Sequence, residues 1–213
     1  MSLVVVGGDA GFGAALVAAL DRGPATVAAV LATDDATQAS TALAAIAEPS
    51  AVVHVCAPDP AAATLPLVAT DPAGWDAGCE EVVWRALTSL QSAHAVLSPH
   101  GDGRVVVVTA TAGVSGAPGS VPFVAAVEGV RALAKSAARQ WGAQGISVNC
   151  VSVPLDLLAP THAGNTSFLP PSARVRDDPV GDVAGAVEFL CGPGARGISG
   201  ATLLVDGGAV MAP

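Results

Sequence analysis

Short apolar runs alternate with helix-patterned stretches along nearly the whole chain, and that alternation restricts the fold more than any other feature. Leu3–Val6, Thr26–Leu31, Ala51–Cys56, Arg104–Thr109, Ile146–Val151 and Ala201–Asp206 are strand-like. Between them lie segments of helical period at Gly13–Leu20, Thr37–Ala47, Asp71–Leu97, Pro122–Trp141 and Asp178–Leu190. Strand and helix in strict succession mark βαβ units and a parallel sheet. Val105 to Val108 is an unbroken Val run, too apolar for anything but the centre of a sheet covered on both faces. Asp71-Pro72 and Asp178-Pro179 suit helix starts, because Asp can cap the first turn and Pro fits the first helical position.

The predicted architecture is one doubly wound α/β domain over residues 1–213, with six strands. Residues 154–177, rich in Pro, Ser and Thr and without clear period, read as a short loop-like lobe.

Composition narrows the partners. Charged residues are 13% of the chain, against roughly 25% in an average soluble domain. Two explanations stay open: large subunit interfaces, or a genome rich in Ala. A net charge of −9 argues against nucleic acid and anionic membranes. No apolar run approaches the ~18 residues of a membrane span, and no basic segment precedes Leu3, so neither span nor leader is expected and the cytoplasm is the default. Cys56, Cys79, Cys150 and Cys191 are scattered, as are the four His, so no metal site is expected.

Gly7-Gly8-Asp9-Ala10-Gly11-Phe12-Gly13 follows the first strand and opens a helix. Gly7, Gly11 and Gly13 in that setting let the backbone approach a pyrophosphate at a positive helix terminus. The competing reading is that strand–turn–helix packing alone demands them. Asp34, past the second strand, is the candidate acceptor for an adenosine ribose, which would favour NAD over NADP; a solvated turn residue fits equally well.

Other residues read as structural. His54, inside a strand, reads as a satisfied core histidine, and His94 as a surface or interface residue late on its helix. His100 and His162 are loop residues. Thr109, Thr111 and Ser115 have no base beside them and read as turn chemistry.

The chain resembles the short-chain dehydrogenase/reductase family over nearly its whole length. The turn Gly7-x-x-x-Gly11-x-Gly13, the Trp75-Asp76 helix start, Gly103–Gly113, Ile146-Ser147-Val148-Asn149, and Ile198-Ser199-Gly200 with Leu204-Val205-Asp206-Gly207-Gly208 carry the resemblance. It implies a Rossmann-like fold in which the outer third strand is missing, since only one helix fits between Leu31 and Ala51. It also implies chemistry by an Asn-Ser-Tyr-Lys set, whose positions fall here on Val82, Ala110, Phe123 and Val127. None of these side chains can transfer a proton. The sequence contains no Tyr, and its one Lys, Lys135, lies ~12 Å along and ~80° around a helix from Val127. Glu128 lies beside Val127 but off that face. Val55-Cys56-Ala57-Pro58 stands where the family has Asn-Asn-Ala-Gly, and an apolar run ending at Leu158 stands where a Thr would recognise the carboxamide.

The expected catalytic set is therefore none. The expected cofactor is none, or NAD(P) held weakly. The leading expectation is a non-catalytic subunit that pairs, as family members do, through the helices 71–97 and 122–141 with itself or with an active relative. An atypical NAD(P)-dependent oxidoreductase and a dinucleotide-sensing scaffold are the alternatives.

Overall fold

The computed structural model describes residues 1–31, 41–43, 45–46, 48–59, 64–161 and 171–211. Six strands form one sheet: β1 Ser2–Val6, β2 Thr26–Leu31, β3 Ala51–Val55, β4 Gly103–Ala110, β5 Ile146–Val153 and β6 Thr202–Leu204. Their order is β2-β1-β3-β4-β5-β6, and every neighbouring pair is parallel. Among the described residues β2 is the edge, as expected if an outer strand is absent. All eight residues of β4 and all eight of β5 are buried, and β4 carries the unbroken Val105–Val108 run expected of a strand covered on both faces, while β5 also buries Ser147, Asn149 and Ser152.

Among the described residues four longer helices cover the sheet: α1 Gly11–Leu20, α2 Glu81–Leu97, α3 Val121–Trp141 and α4 Pro179–Cys191. α1 packs beside α4, and α2 beside α3, giving one helical layer on each face. Asp178 caps α4 by accepting from the Gly181 N–H at 2.9 Å, with Pro179 in the first turn, as its sequence predicts. Most of the predicted 37–47 helix lies outside the described residues; residues 41–43 of it are helical.

The structure revises two boundaries. The predicted helix from Asp71 to Leu97 is interrupted. Asp71 caps a short turn, Pro72–Trp75, accepting from Gly74 N–H at 2.8 Å; a π-helical turn, Asp76–Glu80, then leads into α2. Gly78 lies within this π turn, and a Cβ on it would sit 2.8 Å from Pro122 Cβ, so the chain presents bare backbone to the start of α3 there. The last strand is shorter than Ala201–Asp206, because the buried Asp206 leaves the sheet. Its carboxylate accepts from Gly208 and Val210 N–H groups, each at 2.9 Å.

Between Pro154 and Asp177 the described residues form a short helix, Leu155–Leu158, and a return segment without regular structure. That segment is tied to the C-terminal loop by Ser172 Oγ donating to the Asp206 carbonyl and Arg174 N–H donating to the Gly207 carbonyl, both at 2.9 Å. No described helix is long and apolar enough to cross a membrane.

Candidate nucleotide crevice

The strand order fixes where a crevice can open. From β1 the chain runs outward to β2, then returns to place β3 on the other side of β1, so connections leave the two strands toward opposite faces. The carboxyl ends of such strands are where open α/β sheets leave a binding crevice. A cavity of about 520 Å³ lies there. The glycine turn forms one wall (Gly7 to Gly13), Val55 and Ala57–Asp59 after β3 form the second, and Arg85 and Leu158 close the rest.

The backbone of the turn requires glycine at Gly7, Gly11 and Gly13, which both readings of the motif share. Gly7 and Gly11 take φ of +79° and +53°, and a Cβ on Gly13 would land on the Gly7 carbonyl oxygen. The N-cap residue of α1 is Ala10, which has no side-chain acceptor to cap the first turn, in contrast to Asp178 at α4. These features fit a phosphate group. Asp34 lies outside the described residues.

The opposite half of the crevice is mostly apolar: among the described residues its lining there is Val55, Ala57, Pro58 and Leu158, with the Asp59 side chain beside them. Val82, Ala110, Phe123 and Val127, the positions implied for the chemistry, are at most 3% exposed, belong to the hydrophobic core, and none lines the cavity. Lys135 is exposed on α3. Glu128 is committed to Arg131 at 2.6 Å and lies against Gly113.

The hydroxyls are also occupied. Thr109 Oγ1 and the buried Ser152 Oγ lie 2.7 Å apart, and Ser115 Oγ donates to the Gly116 carbonyl at 3.1 Å. Thr111 is buried in the turn after β4, and none of the three lines the cavity.

His54 is a correction. It is buried in β3, but its Nδ1 has no hydrogen-bond partner, so it is not a satisfied core histidine. Burial, helped by the Arg85 charge, lowers its pKa to about 4, so the ring is neutral at pH 7. His94 bridges helices: its Nε2 lies 2.7 Å from Gln144 Oε1, and its ring stands 4.8 Å from that of Trp141. His162 lies outside the described residues. Burial pushes the thiols of Cys56 and Cys191 up to about 12 and that of Cys150 to about 11, which removes them as nucleophiles. No group of three or more His, Cys, Asp or Glu among the described residues is placed to hold a metal.

Arg85 escaped the sequence reading. It sits one helical turn after Glu81, and that spacing reads as an ordinary surface ion pair. Only the packing of α2 beside β3 brings it to the crevice.

Fold and crevice together define a Rossmann-like α/β protein with an open crevice at the carboxyl ends of β1 and β3. Residues 14–210 match a family model described as enoyl-(acyl carrier protein) reductase. The chain belongs to the short-chain dehydrogenase/reductase family. It is 34% identical over 114 residues to a 3-oxoacyl-(acyl-carrier-protein) reductase of Synechocystis sp., a stretch covering 52% of this chain and 45% of the relative. It is 33% identical over 138 residues to xanthoxin dehydrogenase of Arabidopsis thaliana, covering 58% and 48%. The matched stretches thus span about half the length of these relatives. Among solved structures, a short-chain type dehydrogenase/reductase from Mycobacterium ulcerans superposes with a TM-score of 0.82 at 21% identity, covering 98% of this chain and 89% of that one. An oxidoreductase of the same family from Burkholderia thailandensis gives 0.74 at 25% identity, covering 98% and 92%.

Proposed function

We propose that this chain is a non-catalytic member of its family, a structural subunit that pairs with a catalytically competent relative. One observation carries the reading. The residues at the implied acid, base and substrate-steadying positions, Phe123, Val127, Ala110 and Val82, are apolar and buried beside a crevice that does not reach them. General acid–base help is worth roughly 10²–10⁴ in rate, and none of these four side chains can supply it.

The pairing surface would be the α2 and α3 helices with the turn before α2. Trp84 is 63% exposed and Trp75 37%, and a groove of about 420 Å³ beside Trp84 is walled by Cys79, Glu80, Glu81 and Val83. Exposed aromatic anchors beside a groove are the usual energetic centre of an interface. The family usually binds NAD(P), and the glycine turn supports a weak site for it, with NAD the preferred form if Asp34 meets the ribose. A cytoplasmic location is part of this reading.

A second reading rests on the open glycine crevice and on relatives named as reductases and a dehydrogenase: an atypical oxidoreductase whose proton comes from water, the substrate or another subunit. Native mass spectrometry on protein purified from its source separates the two. A stoichiometric second chain that carries Tyr-x-x-x-Lys supports the subunit reading. Oxidation of NADH with a carbonyl compound by the isolated chain, at ordinary enzyme rates, sinks it.

A further inference from the structure

We propose that a water molecule is bound beneath the floor of the crevice, in a closed polar pocket between β3 and α2, held by His54 and Ser89. Two observations carry this, and neither depends on whether the chain is catalytic. First, His54 Nδ1 and Ser89 Oγ are both buried side-chain atoms without a hydrogen-bond partner in the protein, on residues only 2% and 7% exposed. Second, the fold turns both toward the same place.

Sheet register fixes the direction of His54. It pairs with Val107, and Val107 with Cys150, and side chains in register share one face of a sheet. The Arg131 and Lys135 charges of α3 act on the Cys150 thiol, so this is the face that α2 and α3 cover. Ser89 belongs to the buried stripe of α2, with Val82, Ala86, Leu90 and Ala93, which is the side turned to the sheet. Depth agrees as well as direction. Val55 and Arg85 both line the crevice, where β3 ends and α2 begins. His54 lies one strand residue below Val55, ~3.3 Å, and Ser89 one helical turn below Arg85, ~6 Å.

No direct bond joins the two atoms, and water meets the need of each. It donates and accepts, as a hydroxyl does, and an imidazole nitrogen does one or the other. Buried waters take two to four such partners, whereas a dry orphan atom bears its full desolvation cost. The ring is neutral and the hydroxyl uncharged, so the pocket calls for a dipole and not for an ion. Through this water α2 is tied to β3 one turn below Arg85, and the crevice wall is fixed by a contact that helix and strand do not make directly.

A high-resolution crystal structure of the intact protein tests this directly. One water is expected within about 3.2 Å of both His54 Nδ1 and Ser89 Oγ. Empty density at that place, a water touching only one of the two atoms, or a direct hydrogen bond between His54 and Ser89 would each overturn the proposal.

Urea unfolding of His54→Leu, Ser89→Ala and the double variant gives a second reading in solution. Atoms that share a water are coupled, because removing one leaves the other short of a partner and removing both does not. The unfolding constant of the double variant is expected at least about threefold below the value that independent losses would give. Agreement with independent losses to within about threefold overturns the shared water. Should a variant fail to fold, the crystal structure of the parent decides alone. Turnover of NADH would defeat the non-catalytic reading and leave both results untouched.

Discussion

His54 is held in β3 with Nδ1 unpartnered, and burial keeps its pKa near 4 against 6.5 in the unfolded chain. Between those two values the unfolded state binds a proton that the native state refuses, so stability falls as pH drops from about 6.5 toward 4. The penalty reaches about 2 kcal/mol by pH 5. Urea unfolding at pH 7.5 and 5 should therefore show a smaller acid loss in His54→Gln than in the parent, and equal losses would refute the assignment. The packed-over centre makes a second residue-scale prediction. Restoring the family's side chains should cost stability without restoring turnover. Phe123→Tyr buries a hydroxyl at a core position only 2% exposed, at about 1–3 kcal/mol if it finds no partner. Val127→Lys places an ammonium at a position with no exposure and is expected to cost several kcal/mol or abolish folding. Chemical denaturation of each variant checks both, and a Phe123→Tyr protein of unchanged stability would mean that the centre is wetter than its burial implies.

At the scale of elements, the interruption of the long helix before α2 carries the most information. Asp71-Pro72 is a local signal, legible because capping needs only neighbouring residues. The close approach of Gly78, within the π turn at Asp76–Glu80, to Pro122 is not local, because the two residues lie more than forty positions apart in the chain. Gly78→Ala should push α3 off the turn and cost about 1–3 kcal/mol, the penalty of overpacking. A variant as stable as the parent would mean that helix propensity outweighs the contact. At α4 the reverse applies: Asp178→Ala removes a local cap and should cost about 1 kcal/mol, with little effect elsewhere. A thermal melt of each reads the difference.

For the molecule as a whole, the open question is what covers α2 and α3. With 13% charged residues, the chain has few side chains for a fully solvated surface. Trp84 stands 63% exposed on the proposed pairing face. Trp84→Arg is expected to dissociate whatever oligomer the protein forms, seen as a shift to monomer mass in native mass spectrometry, while the melt of the separated chain changes little. An assembly that survives Trp84→Arg intact would place the contact on another surface.

Strand number, parallel pairing, helix starts and the glycine turn were all legible in the sequence, because each is written in local period or in a residue's own backbone preference. Membership of the family was legible for the same reason, since its motifs sit on strand ends and turns. The tertiary structure alone decided the rest. It brought Arg85 from a helix surface to the crevice, because only the packing of α2 on β3 relates residues so far apart in the chain. It left His54 Nδ1 without the partner a core histidine was expected to have, and it set the bare backbone of Gly78 against Pro122. It also buried Phe123 and Val127 in the core: sequence can remove an acid and a base from a site, but only packing decides whether a pocket remains where they stood.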